Sequence, residues 1–312
     1  MRAKRSDLLL LIFNQFVWGA GWTALVQAQK QMGPVTLNVW SLGISIVTLI
    51  PFLLAERRRL PPPDPARLTW RFYFDYFMAG VMGLAGMTLL YAWGAGRSLA
   101  ANGALISMAV PVLTVIVAVV VLSEKMTAAR IASLVIAVVG VVIISDFGGQ
   151  EISLLGSSLF GNCLLLLGTL ANALYVVYSK KLLAVSRPVA VLFWGQVLGF
   201  VASLPFMAFE GSSLQPVSSY TALTWLSLIF LGGVYFTATM LIFFRILNRL
   251  DAGQIMVSNY LQPVFGVLTA ALLLSEHITW NMIGGGLLVV AGTSIATFEE
   301  YLQTRKLGEP DV

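Results

Sequence analysis

Pro111 is followed at fixed distances by Leu122, Ser123, Glu124, Thr127, Ile131 and Gly140, and each residue recurs 152 positions later, as Pro263, Leu274, Ser275, Glu276, Thr279, Ile283 and Gly292. A proline inside an apolar run, a Ser-Glu break and a second apolar run describe a helical hairpin whose first helix lacks one backbone donor. Two copies in one chain mean two copies of one unit, and such a repeat constrains the fold more than any single element. The early part of each copy agrees at a slightly different spacing. Pro34, Trp40, Pro51 and Phe52 recur 154 positions on as Pro188, Trp194, Pro205 and Phe206. Thr69-Trp70 recurs as Thr224-Trp225, and Arg97 as Arg249. The expected units are residues 1–148 and 149–312.

The solvent follows from composition. Apolar residues make up 58% of the chain and charged residues 11%, against about 25% charged in soluble domains. The apolar runs are about 20 residues long, which suits helices crossing a bilayer rather than the shorter alternating strands of a barrel. The expected spans run from Leu8 to Gln29, Val35 to Ala55, Phe72 to Trp93, Leu99 to Leu122 and Ala128 to Ser145. In the second unit they run from Gly156 to Tyr178, Pro188 to Phe209, Thr221 to Phe244, Ala252 to Leu274 and Trp280 to Phe298. The run after Arg5 is too long for a cleavable signal and carries no small-residue cleavage site. The net charge of +5 reads as loop bias rather than affinity for nucleic acid. Cys163 is the single cysteine and forms no intrachain disulfide.

Ten spans with a cytoplasmic N-terminus place every Lys and Arg except Lys30 and Arg97 on the inside, as the positive-inside rule requires. Both termini are then cytoplasmic. Five spans per unit is an odd number, so the second unit enters from the opposite side. The expected fold is therefore all-α and membrane-integral, with ten transmembrane helices as two inverted five-helix repeats around a central cavity.

Ten helices in this arrangement, with the Pro111 to Glu124 and Pro263 to Glu276 hairpins near the repeat ends, resemble the drug/metabolite transporter superfamily, in particular its EamA-type members and, among those, bacterial aromatic amino-acid exporters. The resemblance covers Leu8 to Phe298. It implies that helices 1, 3, 4, 6, 8 and 9 surround the cavity, that helices 5 and 10 are peripheral, and that the chain resides in a bacterial inner (plasma) membrane.

Charged residues are absent from mid-span. Asp75 reads as the partner of Arg71 one turn earlier. Glu124 and Glu276 read as caps of the helices that follow them, and His277 as a solvated loop residue. With one cysteine, one loop histidine and no mid-membrane carboxylates, nothing assembles a nucleophile with its base or a metal cluster. A membrane enzyme or an assembly subunit is thereby disfavoured against a transporter, and neither cofactor nor metal is expected.

The candidate substrate-binding residues are neutral. Asn14, Gln15, Trp18 and Trp22 share one face of helix 1. Tyr91 lies on helix 3, Ser107 on helix 4, Asn172 and Tyr175 on helix 6, and Tyr235 with Thr239 on helix 8. Asn259, Tyr260 and Gln262 precede Pro263 on helix 9, where the first unit has Ser107, Met108 and Val110. The prolines free the carbonyls of Asn259 and Ser107. Such polar groups either bind helices together or line a cavity; for Asn259 to Gln262 the cavity is favoured. Trp70, Trp225 and Trp280 read as interfacial belt residues. A pocket of rings and amides without fixed charge suits an apolar or aromatic amino acid. A cationic aromatic drug and a nucleoside are the alternatives. The expected partners are this small molecule and the lipid bilayer, with no nucleic acid, for a chain acting as a monomer.

Overall fold

A computed structural model describes residues 5–59, 69–95, 97–98, 106–107, 109–144, 159–213, 216–262, 264–265, 280, 283–292 and 294–295, with the backbone alone at 5, 6, 8, 20, 22, 23, 26, 59, 141, 211–213, 253 and 254. No strand occurs among the described residues. The helices are α1 (Arg5–Gln29), α2 (Pro34–Arg59), α3 (Trp70–Ala95), α4 (Ala109–Leu122), α5 (Ala128–Ile144), α6 (Leu159–Leu183), α7 (Pro188–Ser203), α8 (Ala222–Leu247), α9 (Ala252–Val257) and α10 (Ile283–Gly292). By length and composition, α2, α3, α6, α8 and the run Pro188–Glu210 that begins with α7 can each cross a membrane. A skin of exposed apolar side chains, among them Phe13, Val120, Leu226 and Leu287, fits a lipid surround.

The helix starts follow local chemistry. Pro34 and Pro188 occupy first-turn positions, where a missing donor costs nothing. Thr221 caps α8 by accepting from the Thr224 amide at 3.2 Å. Pro205 cannot donate to the turn before it, and α7 continues as a tighter 3-10 helix over Leu204–Ser213.

The middles of α3 and α8 are wound as π-helix, over Phe77–Ala85 and Phe230–Thr239. In the second stretch the Thr237 hydroxyl donates to the Gly232 carbonyl at 2.8 Å. These two stretches occupy corresponding places in the two units.

The units also meet through matched contacts. A Cβ on Gly80 of α3 would lie 2.6 Å from Leu198 Cβ of α7; one on Gly232 of α8 would lie 2.5 Å from Ile44 Cβ of α2. Gly232 follows Gly80 by 152 positions, and Leu198 follows Ile44 by 154. Likewise, a Cβ on Gly140 of α5 would sit 2.8 Å from the Val289 amide nitrogen of α10, and one on Gly292 2.8 Å from that of Ala137. Only glycine permits backbones this close.

Helix ends gather in two sets. At one end Asp7 pairs with Arg249 at 3.3 Å, Asp75 with Lys181 at 2.8 Å and Asp251 with Arg130 at 3.1 Å. At the other, Glu210 accepts from the Val35 and Thr36 amides at 2.6 and 2.8 Å, and Gln31 accepts from the Thr221 amide at 2.9 Å. The expected pairing of Asp75 with Arg71 is corrected: Arg71 is exposed, and the buried Asp75 reaches across to α6. Glu124 accepts from the Ala252 amide at the start of α9, and in the first turn of α5 the Arg130 amide donates to Thr127 Oγ1 at 3.2 Å. Trp225 packs against Trp40 and Tyr220, with ring centroids at 5.6 and 5.9 Å, whereas Trp70 and Trp280 are exposed. Glu276 and His277 lie outside the described residues.

Candidate functional site: a neutral network joining α1, α8 and α9

Gln15 and Trp18 lie ten and thirteen residues into α1, roughly 15–20 Å along it at 1.5 Å per residue. That is near mid-span. Gln15 is fully buried. Its Nε2 donates to Ser258 Oγ at 2.9 Å and to Asn259 Oδ1 at 3.0 Å. Its Oε1 accepts from Gln262 Nε2 at 3.0 Å. Both amide donors and the acceptor of one α1 side chain are thus committed to the segment running from α9 to Gln262. Asn259 Nδ2 points on to Met256 Sδ at 3.6 Å.

One turn away, Trp18 Nε1 donates to Thr239 Oγ1 at 2.7 Å, and Thr239 in turn donates to the Tyr235 carbonyl. The Trp18 ring meets Phe243 at 5.4 Å and Tyr235 at 6.1 Å, both tilted. Asn14 Nδ2 donates to the Thr239 carbonyl at 2.9 Å. Among the described residues nothing donates to Asn14 Oδ1, which is buried; such an orphan acceptor costs about 1–3 kcal/mol. No Asp, Glu, Lys or Arg takes part in these contacts.

The structure therefore brings together Gln15, Trp18, Tyr235, Asn259 and Gln262. It does not bring Tyr260 with them. A helical turn directs neighbours to different faces, and Tyr260 is buried among Val115, Leu134, Ala137 and Val289 of α4, α5 and α10. Tyr175 is likewise enclosed, 6.0 Å from Phe244 and pressed on Gly83. Tyr91 donates to Thr169 at 3.3 Å and bonds Asn172, forming a separate contact between α3 and α6. Ser107 is exposed. The Trp22 side chain lies outside the described residues. The Asn259 carbonyl is not free, because the tightened turn over Ser258–Tyr260 lets the Leu261 amide reach it.

Sequence reasoning missed Ser258, and with it a second buried network. Ser45 Oγ donates to Gln196 Oε1 at 2.7 Å and lies 2.7 Å from Thr237 Oγ1. Thr48 Oγ1 is also 2.7 Å from Thr237 Oγ1, and Gln196 Nε2 donates to the Phe236 carbonyl at 2.8 Å. Ser41, Ser45 and Thr48 share one face of α2 by their spacing, a signal that could have located it. The network ties α2 and α7 to the π-helical stretch of α8.

The chain matches the EamA-like transporter family twice, over residues 5–146 and 159–298. It is 27% identical to the uncharacterized transporter YvbV of Bacillus subtilis, covering 96% of this chain and 94% of that one. It is 24% identical to a probable amino-acid metabolite efflux pump of Salmonella typhimurium, covering 95% and 96%, and 22% identical to an uncharacterized transporter of Archaeoglobus fulgidus, covering 92% and 97%. A solved crystal structure shares the fold at a TM-score of 0.78 and 17% identity, over 95% of this chain and all of that one. Two family matches, one in each repeat and together spanning nearly the whole chain, establish that this protein belongs to the EamA-like transporter family.

Proposed function

We propose that this transporter moves a small neutral or zwitterionic solute by alternating access, and that its solutes are aromatic or other apolar amino acids carried outward across a bacterial inner membrane. The observation that carries the reading is the uncharged Gln15–Ser258–Asn259–Gln262 network beside the Trp18, Tyr235 and Phe243 rings. Amides and hydroxyls can hold ammonium and carboxylate groups, and rings can stack on an apolar side chain. A phosphate or dianion would call for Arg or Lys at the same depth. The efflux-pump relative supports the same substrate class.

In the proposed architecture ten helices form two inverted repeats, and the network lies between them because α1 comes from one and α8 and α9 from the other. The matched contacts of Gly80 with α7 and Gly232 with α2 support it. So does the pair of glutamates 154 positions apart: Glu210 binds the start of α2, and Glu56 lies within electrostatic reach of Arg187, just before α7. The end that gathers Asp7, Lys125, Lys180 and Arg249 faces the cytoplasm. In a Cys163→Ala background, an impermeant thiol reagent outside the cell is expected to modify His277→Cys and to spare Lys125→Cys. Modification of both would refute the inversion.

The substrate test is competition in liposomes. Phenylalanine and tryptophan are expected to displace labelled phenylalanine, with cationic aromatic drugs and nucleosides ineffective. Displacement by the drugs alone would overturn the assignment. With no carboxylate in the network, transport is expected to persist when the pH gradient is collapsed; strict dependence on that gradient would redirect attention to Asp75.

A further inference from the structure

Glu124 lies in the turn between α4 and α5, beside Ser123, which adopts a left-handed backbone with φ of 57°. The Glu124 side chain is only 5% exposed. Its Oε1 accepts from the Ala252 amide at 2.8 Å. The Arg130 guanidinium and the Lys180 ammonium each stand 3.7 Å from its carboxylate. Asp251 closes the group, 3.1 Å from Arg130 and 3.9 Å from Lys180, while Lys180 also donates to the Leu250 carbonyl. Four segments are knotted here: the α4–α5 turn, the start of α5, the end of α6 and the start of α9. Glu124 and Arg130, each with a side chain only 5% exposed, form a pair far less screened than a surface pair, whereas Asp251 stands half-exposed at the rim.

The knot holds α9, which leads directly into Ser258, Asn259 and Gln262. Below it, Val115 of α4 and Val257 of α9 pack in one apolar cluster. The counterparts 152 positions away are instructive. Glu276 matches Glu124, but Leu99 stands for Asp251 and Met282 for Arg130. The pairing of Arg130 with Asp251 therefore has no sequence counterpart in the other repeat.

We propose that this knot is the gate at its end of the transporter. With Glu124 bonded to Ala252, the facing parts of α4 and α9 are clamped and the route from the Gln15 network to that end is shut. When Glu124 releases Ala252, α9 swings away and the route opens. Glu124 is thus a positioning residue that acts through α9 and does not touch the solute. The inference rests on the transporter reading above but not on the choice of solute.

The test uses the full chain with Cys163→Ala and a reporter, Ser258→Cys, in membrane vesicles of both orientations. An impermeant maleimide is applied from the face on which Lys125→Cys reacts, and separately from the other face. From the knot's face the reporter is expected to react slowly. Glu124→Ala should raise that rate roughly tenfold, the scale set by losing a charge-assisted hydrogen bond and its partners. Glu124→Gln, which keeps an acceptor for Ala252 but loses the ion pairs, should fall between. Lys180→Met should raise the rate a few-fold. The rate from the opposite face should fall or stay constant, and the melting temperature in detergent should change little. Unchanged rates in all three variants would overturn the proposal, as would equal increases from both faces, the mark of general loosening. If Glu124→Ala does not fold, Lys180→Met decides by the same two criteria. Labelling needs no solute, so a failed amino-acid competition leaves the gate standing, and normal flux with unchanged labelling refutes the gate alone.

Discussion

Trp18 of α1 meets Phe243 of α8 with ring centroids 5.4 Å apart. The residues 154 and 152 positions away are Asn172 and Tyr91, and there an amide meets a phenol between α6 and α3. The same two pairs of helices show a second exchange. Gly21 of α1 lies against the Tyr235 ring of α8, whereas its counterpart Tyr175 of α6 lies against Gly83 of α3, the counterpart of Tyr235. Each pair keeps one glycine and one tyrosine, but on opposite partners. Close packing of two helices needs one small residue at the crossing, and either helix can supply it. Helix proximity was therefore kept in both halves while the side-chain chemistry diverged. The α1–α8–α9 side became a neutral polar network with rings beside it, and the α6–α3 side became a tight joint.

If that division is right, matched substitutions should have unequal effects. The largest difference is expected between Gln15→Ala and Thr169→Val, at corresponding positions. Removing Gln15 strands the amide of Gln262 and the acceptors of Ser258 and Asn259, at about 1–3 kcal/mol for each group left unpaired. Initial uptake rates per folded protein should fall roughly tenfold or more. Thr169 bonds mainly its own helix, through the Leu165 carbonyl at 2.8 Å, and its variant should stay within about twofold. Equal losses would erase the distinction between the halves.

Next comes Trp18→Ala against Asn172→Ala. Trp18 loses its bond to Thr239 and two ring contacts, the latter about 0.5–1.5 kcal/mol beyond area, so uptake should drop several-fold with expression unchanged. Gln262→Ala, which removes one bond to Gln15, should weaken uptake to a similar degree. Asn172→Ala should have a smaller effect on the same assay.

The glycine exchange predicts stability rather than rate. A Cβ on Gly83 would come within 2.7 Å of Tyr175 Cα and 2.8 Å of its nitrogen, which cannot step aside; one on Gly21 would meet only ring atoms of Tyr235, at 2.8 Å. Gly83→Ala should therefore lower the melting temperature in detergent more than Gly21→Ala, overpacking of this kind costing about 1–3 kcal/mol. The reverse order would show that the Tyr235 ring is the more rigid wall. The smallest effect belongs to Trp280→Ala. Trp280 is 85% exposed, and uptake should be nearly intact. A dead Trp280→Ala beside fully active Trp18→Ala and Gln262→Ala would move the site to other helices altogether.

How much of this was readable in the chain differs from element to element. The start of α7 at Pro188, and the extents of α1, α2, α3 and α8 to within a few residues, follow from apolar run length and proline placement. The face of α1 carrying Asn14, Gln15 and Trp18 follows from helical periodicity. The π-helical stretches do not, because glycines at 80, 83, 232 and 233 permit a widened turn without requiring one. Nor does the role of Tyr175, Tyr235 and Tyr260, three buried or half-buried tyrosines. Which of them meets the network depends on the rotation of each helix against its neighbours.

Composition, repeat spacing and loop charge therefore determined the solvent, the duplication and the approximate helices, since these depend on local hydrophobicity and on order along the chain. Tertiary structure alone decided that Gln15 is satisfied by Ser258, Asn259 and Gln262, that Asp75 answers Lys181 rather than Arg71, and that Glu124 holds Ala252. Those partners lie in other helices, in most cases more than a hundred residues away along the chain, and a buried amide or carboxylate takes whichever complementary group packing brings within about 3 Å.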